Sequence, residues 1–209
     1  MKIAILGTGA VGPALAKALS AAGHQVTIGT RDPEETRQRE QWAGIDLPLA
    51  AYRDLDAEVL INATNGRGSL PALQAVGEAL DGKVVIDTSN PLDFSQGFPP
   101  SLFVSNTDSL AEQLQREVPQ ARLVKMFNTM ANQVMINPRG LDADSTIFVA
   151  GNDAAARQTA ASVAADLGWI DGCDLGDLTA ARGLEMFIPL WVRIFGQLGR
   201  PEFNIKVVR

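Results

Sequence analysis

An open, mostly parallel sheet wound by helices on both faces is the fold class that three observations predict. The first is a regular alternation of short apolar runs with longer helical patterns, the mark of consecutive β-α-β units. The second is the opening segment. The apolar run 3–6 breaks directly into Gly7-Thr8-Gly9-Ala10-Val11-Gly12, and 13–22 then read as a helix. The third is bulk: 209 residues, 46% hydrophobic and 20% charged, suffice for one large core, with no repeat or low-complexity tract. Together they describe a Rossmann-type α/β fold in a single domain, 1–209, with 180–209 added as a small extension of C-terminal helix and edge strand.

The remaining elements follow in order along the chain. Gly23 ends the first helix as a left-handed cap, and 25–29 form the second strand. Asp32 caps the next helix, near 33–42, with Pro33 at its first position and Glu34 and Glu35 in its first turn. Residues 47–51 read as a short third strand and 58–63 as a fourth, followed by a helix over 70–80. The turn Asp81-Gly82 leads into a fifth strand at 83–87. Then come a helix at 108–118, a sixth strand at 121–127 and a further strand at 145–150. Asp153 caps an alanine-rich helix that ends before Gly168. Within 182–198, Leu184, Ile188, Trp191 and Phe195 recur at helical spacing, a face that closes the core or forms a dimer contact. Pro189 splits that helix, and 204–208 read as a terminal edge strand.

The opening turn carries the first functional signal. Gly7 makes a tight turn, Gly9 lets backbone approach a pyrophosphate, and Gly12 lets the helix pack close to the strand. The phosphates then meet the free N–H groups at the helix start, so Gly7, Thr8, Gly9, Ala10, Val11 and Gly12 are the first candidate cofactor-binding residues.

Which dinucleotide binds is decided at the tip of the second strand. An NAD site places Asp or Glu there to hold the ribose 2′-hydroxyl. This chain has Thr30 followed by Arg31, and Asp32 falls two places past the tip, where it serves as a helix cap. A small hydroxyl beside a guanidinium suits a 2′-phosphate, which points to NADP(H), with Arg37 or Arg39 as a second cation.

Other classes are excluded on simple grounds. A net charge of −6 with no basic stripe argues against a nucleic-acid partner. The lone cysteine, Cys173, permits no internal disulfide, suits a reducing compartment and reads as a packing residue. The lone histidine, His24, sits before the second strand, away from the strands' C-terminal ends, so no histidine metal site or proton shuttle is expected. No run is long enough to cross a bilayer, and the run after Met1-Lys2 reads as the first strand, not a signal. The expectation is a cytoplasmic protein acting on small molecules, with no metal and no membrane partner.

Ligands of open parallel sheets bind beyond the strands' carboxyl ends. Small polar residues cluster there: Thr64-Asn65-Gly66-Arg67-Gly68, Thr88-Ser89-Asn90-Pro91 and Asn128-Thr129-Met130. Thr64, Asn65 and Asn90 are candidates for ribose and carboxamide contacts. The segment 92–107, long for a structureless connection and carrying Phe94 and Phe103, reads as a wall over a second substrate. Asp87 and Lys125 either touch that substrate or form a structural ion pair.

Four motifs resemble the NADP oxidoreductases that reduce the deazaflavin coenzyme F-420, and the cytoplasmic oxidoreductase domains of the STEAP metalloreductases. They are the glycine turn, Gly23-His24-Gln25-Val26-Thr27-Ile28-Gly29-Thr30-Arg31, Asp87-Thr88-Ser89-Asn90-Pro91 and Val124-Lys125-Met126-Phe127-Asn128-Thr129. The resemblance implies NADPH binding, with Thr8, Thr30 and Arg31 near the adenosine phosphates and Pro91, Asn128 and Thr129 near the nicotinamide. It also implies a flavin-like acceptor (FMN, FAD or coenzyme F-420) and a homodimer through C-terminal elements. Deazaflavin-reducing members commonly carry His where this chain has Asn128.

Hydride transfer between two rings needs alignment and exclusion of water more than acid–base help. Asn128 and Thr129, orienting the carboxamide, and Pro91, against one ring face, are therefore the candidate catalytic residues. A hydroxyacid- or imine-type dehydrogenase would add a long helical domain, whereas only about forty residues follow the alanine-rich helix. A non-catalytic NADPH-sensing module would carry a partner- or DNA-binding segment, and none is visible.

Overall fold

A computed structural model describes residues 1–209. Its strands are β1 (Lys2–Leu6), β2 (Gln25–Thr30), β3 (Leu49–Ala51), β4 (Val59–Asn62), β5 (Val84–Asp87), β6 (Leu92–Asp93), β7 (Ser101–Leu102), β8 (Arg122–Met126), β9 (Ile147–Gly151) and β10 (Gly172–Asp174). Its helices are α1 (Val11–Ala21), α2 (Pro33–Gln38), α3 (Gly66–Val76), α4 (Leu110–Glu117), α5 (Asn132–Ile136), α6 (Ala154–Asp166), α7 (Ala181–Met186) and α8 (Ile188–Leu198).

Eight strands form one sheet in the order β10-β9-β8-β5-β4-β1-β2-β3. All neighbours run parallel except β8 and β9. Strands β4 and β5 are buried along their whole length, which explains their apolar runs ahead of the terminal Asn62 and Asp87: both faces of the sheet are covered. On one face α1 and α6 pack Leu15, Leu19 and Val163 against Ile5, Ile28 and Ile86, with Trp42 and Trp169 filling the margins. On the other, α3, α4 and α7 pack Leu73, Leu114 and Ala181 against Leu60 and Val85. Strand order reverses between β1 and β4, and the crevice at that switch point is where such sheets bind ligands.

The doubly wound, mostly parallel sheet is as expected, and several local readings change. Helix α3 begins at Gly66, four residues before the expected start, because Asn65 caps it by accepting from Gly68 N–H. Two glycines and the internal Pro71 disguise its first turns as loop. Helix α2 ends at Gln38, and Glu40–Trp42 follow as a separate 3-10 turn. Ser109 caps α4, which begins at Leu110. Helix α5 and strand β10 were not foreseen, being short, and β10 has no fully buried residue. Strand β9 runs antiparallel to β8 and closes the sheet on that side with β10.

The C-terminal edge strand does not form. Residues 204–208 hang on Thr146 through Thr146 N–H to Ile205 O at 2.9 Å and Val207 N–H to Thr146 Oγ1 at 3.0 Å, without a ladder. Pro189 does divide the last helical region into α7 and α8. On α8, Ile188 and Val192 face the core, Trp191 stacks between Phe195 and Phe203, and Leu190 and Leu198 remain exposed. No helix is long and apolar enough to cross a membrane.

Candidate active site at the switch point

The glycine turn has the geometry its sequence implies. Gly7 has φ +122°, a conformation other residues avoid, and a Cβ there would lie 2.5 Å from the Ala63 carbonyl. A Cβ on Gly12 would collide with the Gly7 carbonyl, so only glycine lets α1 start this close to β1. Gly9 faces open space, with nothing within 4 Å of where its Cβ would be. No side chain caps α1 and no acidic residue occupies its first turn, so its leading N–H groups and dipole suit an anion. These features fit a dinucleotide pyrophosphate.

The tip of β2 is arranged for positive charge. Asp32 accepts from Glu35 N–H at 2.9 Å, which commits its carboxylate to capping α2. Thr30 is buried, its hydroxyl 2.8 Å from that of Thr36, which in turn donates to Asp32 O. Arg31 is exposed, and Arg39 donates to Thr8 Oγ1 at 3.3 Å while pairing with Glu35 at 2.9 Å. The Trp42 indole donates to Thr8 O at 3.1 Å, an anchor with no motif to announce it. Burial raises the Tyr52 phenol pKa, and the positive charge of Arg31 and Arg39 opposes that rise. Arg37 instead donates to Leu47 O at 2.9 Å and is structural.

Beyond the ends of β4 and β5 lies a cavity of about 640 Å³. It runs from Val11 on α1 past Thr64 and Asn65 to Ser89 and Asn90, and then to Leu92–Asp93, Phe94 and Ser95. Of the segment 92–107, only residues 92–95 line this space, and β6 within them pairs antiparallel with β7 in a small hairpin.

Of the sequence-predicted residues, Val11, Thr64, Asn65 and Asn90 line the cavity, and Pro91, Asn128 and Thr129 do not. Those three are buried in a supporting layer, Asn128 and Thr129 each at 3% exposure. Asn128 donates to Asn90 Oδ1 at 2.9 Å and to Leu184 O at 3.0 Å, and its carbonyl accepts from Asn90 Nδ2 at 2.9 Å. Phe127, buried with φ +67°, makes the sharp turn that brings Asn128 to Asn90, at a cost of about 1–3 kcal/mol.

Asp87 and Lys125 form a structural ion pair, as one of the two sequence readings had it. Both side chains have 0% exposure, with Nζ 2.8 Å from Asp87 and 2.9 Å from Glu185 on α7. Burial alone would lower the Lys125 pKa, but the two carboxylates outweigh it and hold the value above the ordinary lysine range. Glu185 also accepts from Leu110 and Ala111 N–H at 2.8 and 3.1 Å, tying α7 to the start of α4. Asp87 accepts from Asn62 Nδ2 and Ser89 Oγ at 2.7 Å each. The network thus sits directly under the cavity floor. Glu185 escaped the sequence reading, although a carboxylate beside Leu184 and before Phe187 and Ile188 was its signal.

His24 pairs with Asp166 at 3.0 Å on the opposite end of the sheet, clear of the cavity. Cys173 lies half-buried on β10.

Fold and site together define an NADP-dependent oxidoreductase of the Rossmann class. The chain belongs to the coenzyme F420-dependent NADP oxidoreductase family, whose model matches residues 2–91. It is 30% identical to the F420-dependent NADP reductase of Methanothermobacter marburgensis, over 93% of this chain and 92% of that protein. The metalloreductase STEAP3 of Rattus norvegicus is 29% identical over 90% of this chain but only 36% of its own length. A crystal structure of a candidate F420-dependent NADP-reductase from Arthrobacter sp. FB24 superposes with a TM-score of 0.96 at 49% identity, covering 100% of both chains.

Proposed function

We propose that the protein is an NADPH-dependent reductase that delivers hydride to a ring acceptor, coenzyme F-420 first and FMN or FAD as alternatives. One observation carries the reading: a single cavity joins the glycine turn at Val11 to the hairpin, so the nicotinamide end of a dinucleotide and a second ring can share it. Similarity to F420-dependent NADP reductases favours coenzyme F-420 among these acceptors.

When bound, NADPH would supply the hydride and water the proton that together reduce the acceptor by two electrons, leaving NADP⁺. The chain's own residues bind, orient and exclude water. Residues Gly7 to Gly12 hold the pyrophosphate, and Thr8, Arg31 and Arg39 surround the 2′-phosphate, with buried Thr30 supporting the tip from beneath through Thr36. Thr64, Asn65 and Asn90 face the ribose and carboxamide. Pro91, Asn128 and Thr129 hold that surface in register from behind, a positioning role that their burial favours over direct contact. Alignment at about 3–3.5 Å is the main requirement of such a step.

The test is stopped-flow absorbance at the nicotinamide band, with NADPH-loaded protein mixed separately with coenzyme F-420, FMN, FAD and a ferric chelate. Fast oxidation by coenzyme F-420 is the expected result. Tight NADPH binding without oxidation by any acceptor would refute the reading.

A further inference from the structure

We propose that Arg67 selects the acceptor by pairing with an anionic group on its tail, an inference that rests on the reductase reading above. Arg67 is the only cation lining the cavity. It projects from the first turn of α3 with its side chain 67% exposed. Its one polar partner is Asp93, at 3.6 Å, well beyond the roughly 2.7–2.9 Å of a charge-assisted hydrogen bond. The guanidinium fork is therefore held near a carboxylate without being saturated by it.

The guanidinium is nonetheless pre-positioned. Its carbon lies 4.8 Å from the centroid of the Phe103 ring, a cation–π contact that leaves the N–H donors free. A cation already held in place loses less freedom when a ligand arrives. Beside it, Phe94 lines the same cavity while 59% exposed, next to Leu92. An uncovered aromatic face and an unsaturated guanidinium on one cavity rim match a planar ring that carries an acidic tail.

The experiment compares coenzyme F-420, whose tail bears phosphate and carboxylates, with its tail-less deazaflavin chromophore. Binding to the NADP⁺-loaded protein is read by deazaflavin fluorescence, and reduction by NADPH is followed in parallel. Arg67→Gln should raise the Kd for coenzyme F-420 about tenfold, change the chromophore by less than about twofold, and leave NADP⁺ affinity unmoved. Arg67→Lys, which keeps the charge and loses the fork, should fall between.

Equal losses for both deazaflavins would assign Arg67 to holding the hairpin and overturn the inference. A loss of NADP⁺ affinity would assign it to the cofactor, and an unchanged coenzyme F-420 affinity would remove it from recognition. A wild-type protein that binds and reduces neither deazaflavin would instead sink the proposed reaction, and the inference with it. That outcome is recognised before any variant is made.

Discussion

Asn90 and Asn128, 38 residues apart on the loops after β5 and β8, exchange two hydrogen bonds of 2.9 Å. The side chain of Asn90 bonds the backbone of Asn128, and the side chain of Asn128 bonds that of Asn90. The pair therefore fixes both position and rotation of Asn90, which lines the cavity. Asn128 extends the chain of contacts to Leu184 on α7, so the C-terminal helices reach the site through it.

Asn128→Ala should accordingly slow hydride transfer about tenfold while changing NADPH affinity less, because a displaced Asn90 spoils alignment rather than anchoring. Losing these buried bonds should also lower unfolding free energy by about 2 kcal/mol. Single-turnover kinetics and urea denaturation read the two effects separately. An unchanged transfer rate in a folded variant would leave Asn128 a purely structural role.

Arg31→Ala and Arg39→Ala test the 2′-phosphate assignment. Each guanidinium contact with phosphate contributes about 1.5–3 kcal/mol, so each variant should weaken NADPH about tenfold or more and leave NADH nearly unchanged. Titration of both cofactors into each variant decides the matter. Equal losses for NADPH and NADH would remove the residue from the phosphate site.

Lys125→Met should destabilise the protein by about 3–5 kcal/mol, since it leaves Asp87 and Glu185 buried without their cation. Glu185→Gln should cost less, because the Asp87–Lys125 pair survives and the amide oxygen can still accept from one of the Leu110 and Ala111 N–H groups, which bond different oxygens of the native carboxylate. Chemical denaturation of both variants gives the comparison. A larger loss for Glu185→Gln would mean that the α7–α4 tie, not the lysine's charge, dominates.

Asp108 supplies a pH-dependent contribution. Arg116 hydrogen bonds hold its carboxyl at about 2, against an ordinary value of 3.8, with Gln113 adding to the effect and partial burial opposing it. A depressed folded-state value means that stability is present above the unfolded value and lost as the pH falls through about 4 toward 2. The Arg116 side chain is 58% exposed, so screening limits the contribution to about 1 kcal/mol or less. Asp108→Asn should remove that acid limb from the stability profile measured between pH 2 and pH 7.

The glycine turn, the Thr30-Arg31 tip and the Asp32 cap were legible in sequence because each acts within a few residues, where backbone sterics and charge leave few alternatives. The same holds for the alternation of strand and helix, which sets the fold class. The start of α3 was not legible: Gly66 and Gly68 favour loop locally, and Asn65 overrides them only once its side chain turns back to cap the helix. The edge strand read into 204–208 failed for the opposite reason, since a β-rich pattern needs a partner ladder, and the segment finds only isolated bonds to Ser145, Thr146 and Asp171.

What the sequence determined by itself, then, is a Rossmann-type sheet with a dinucleotide turn and a tip suited to NADP. The tertiary structure decided which polar residues face the cavity and which stand behind it. It joined Asp87, Lys125 and Glu185 under the floor, paired Asn90 with Asn128, and set Arg67 against Phe103 and Asp93 on the rim. Those partners lie far apart in the chain, and no local preference of backbone or side chain encodes such a meeting. It exists only once the sheet has stacked its strand ends side by side.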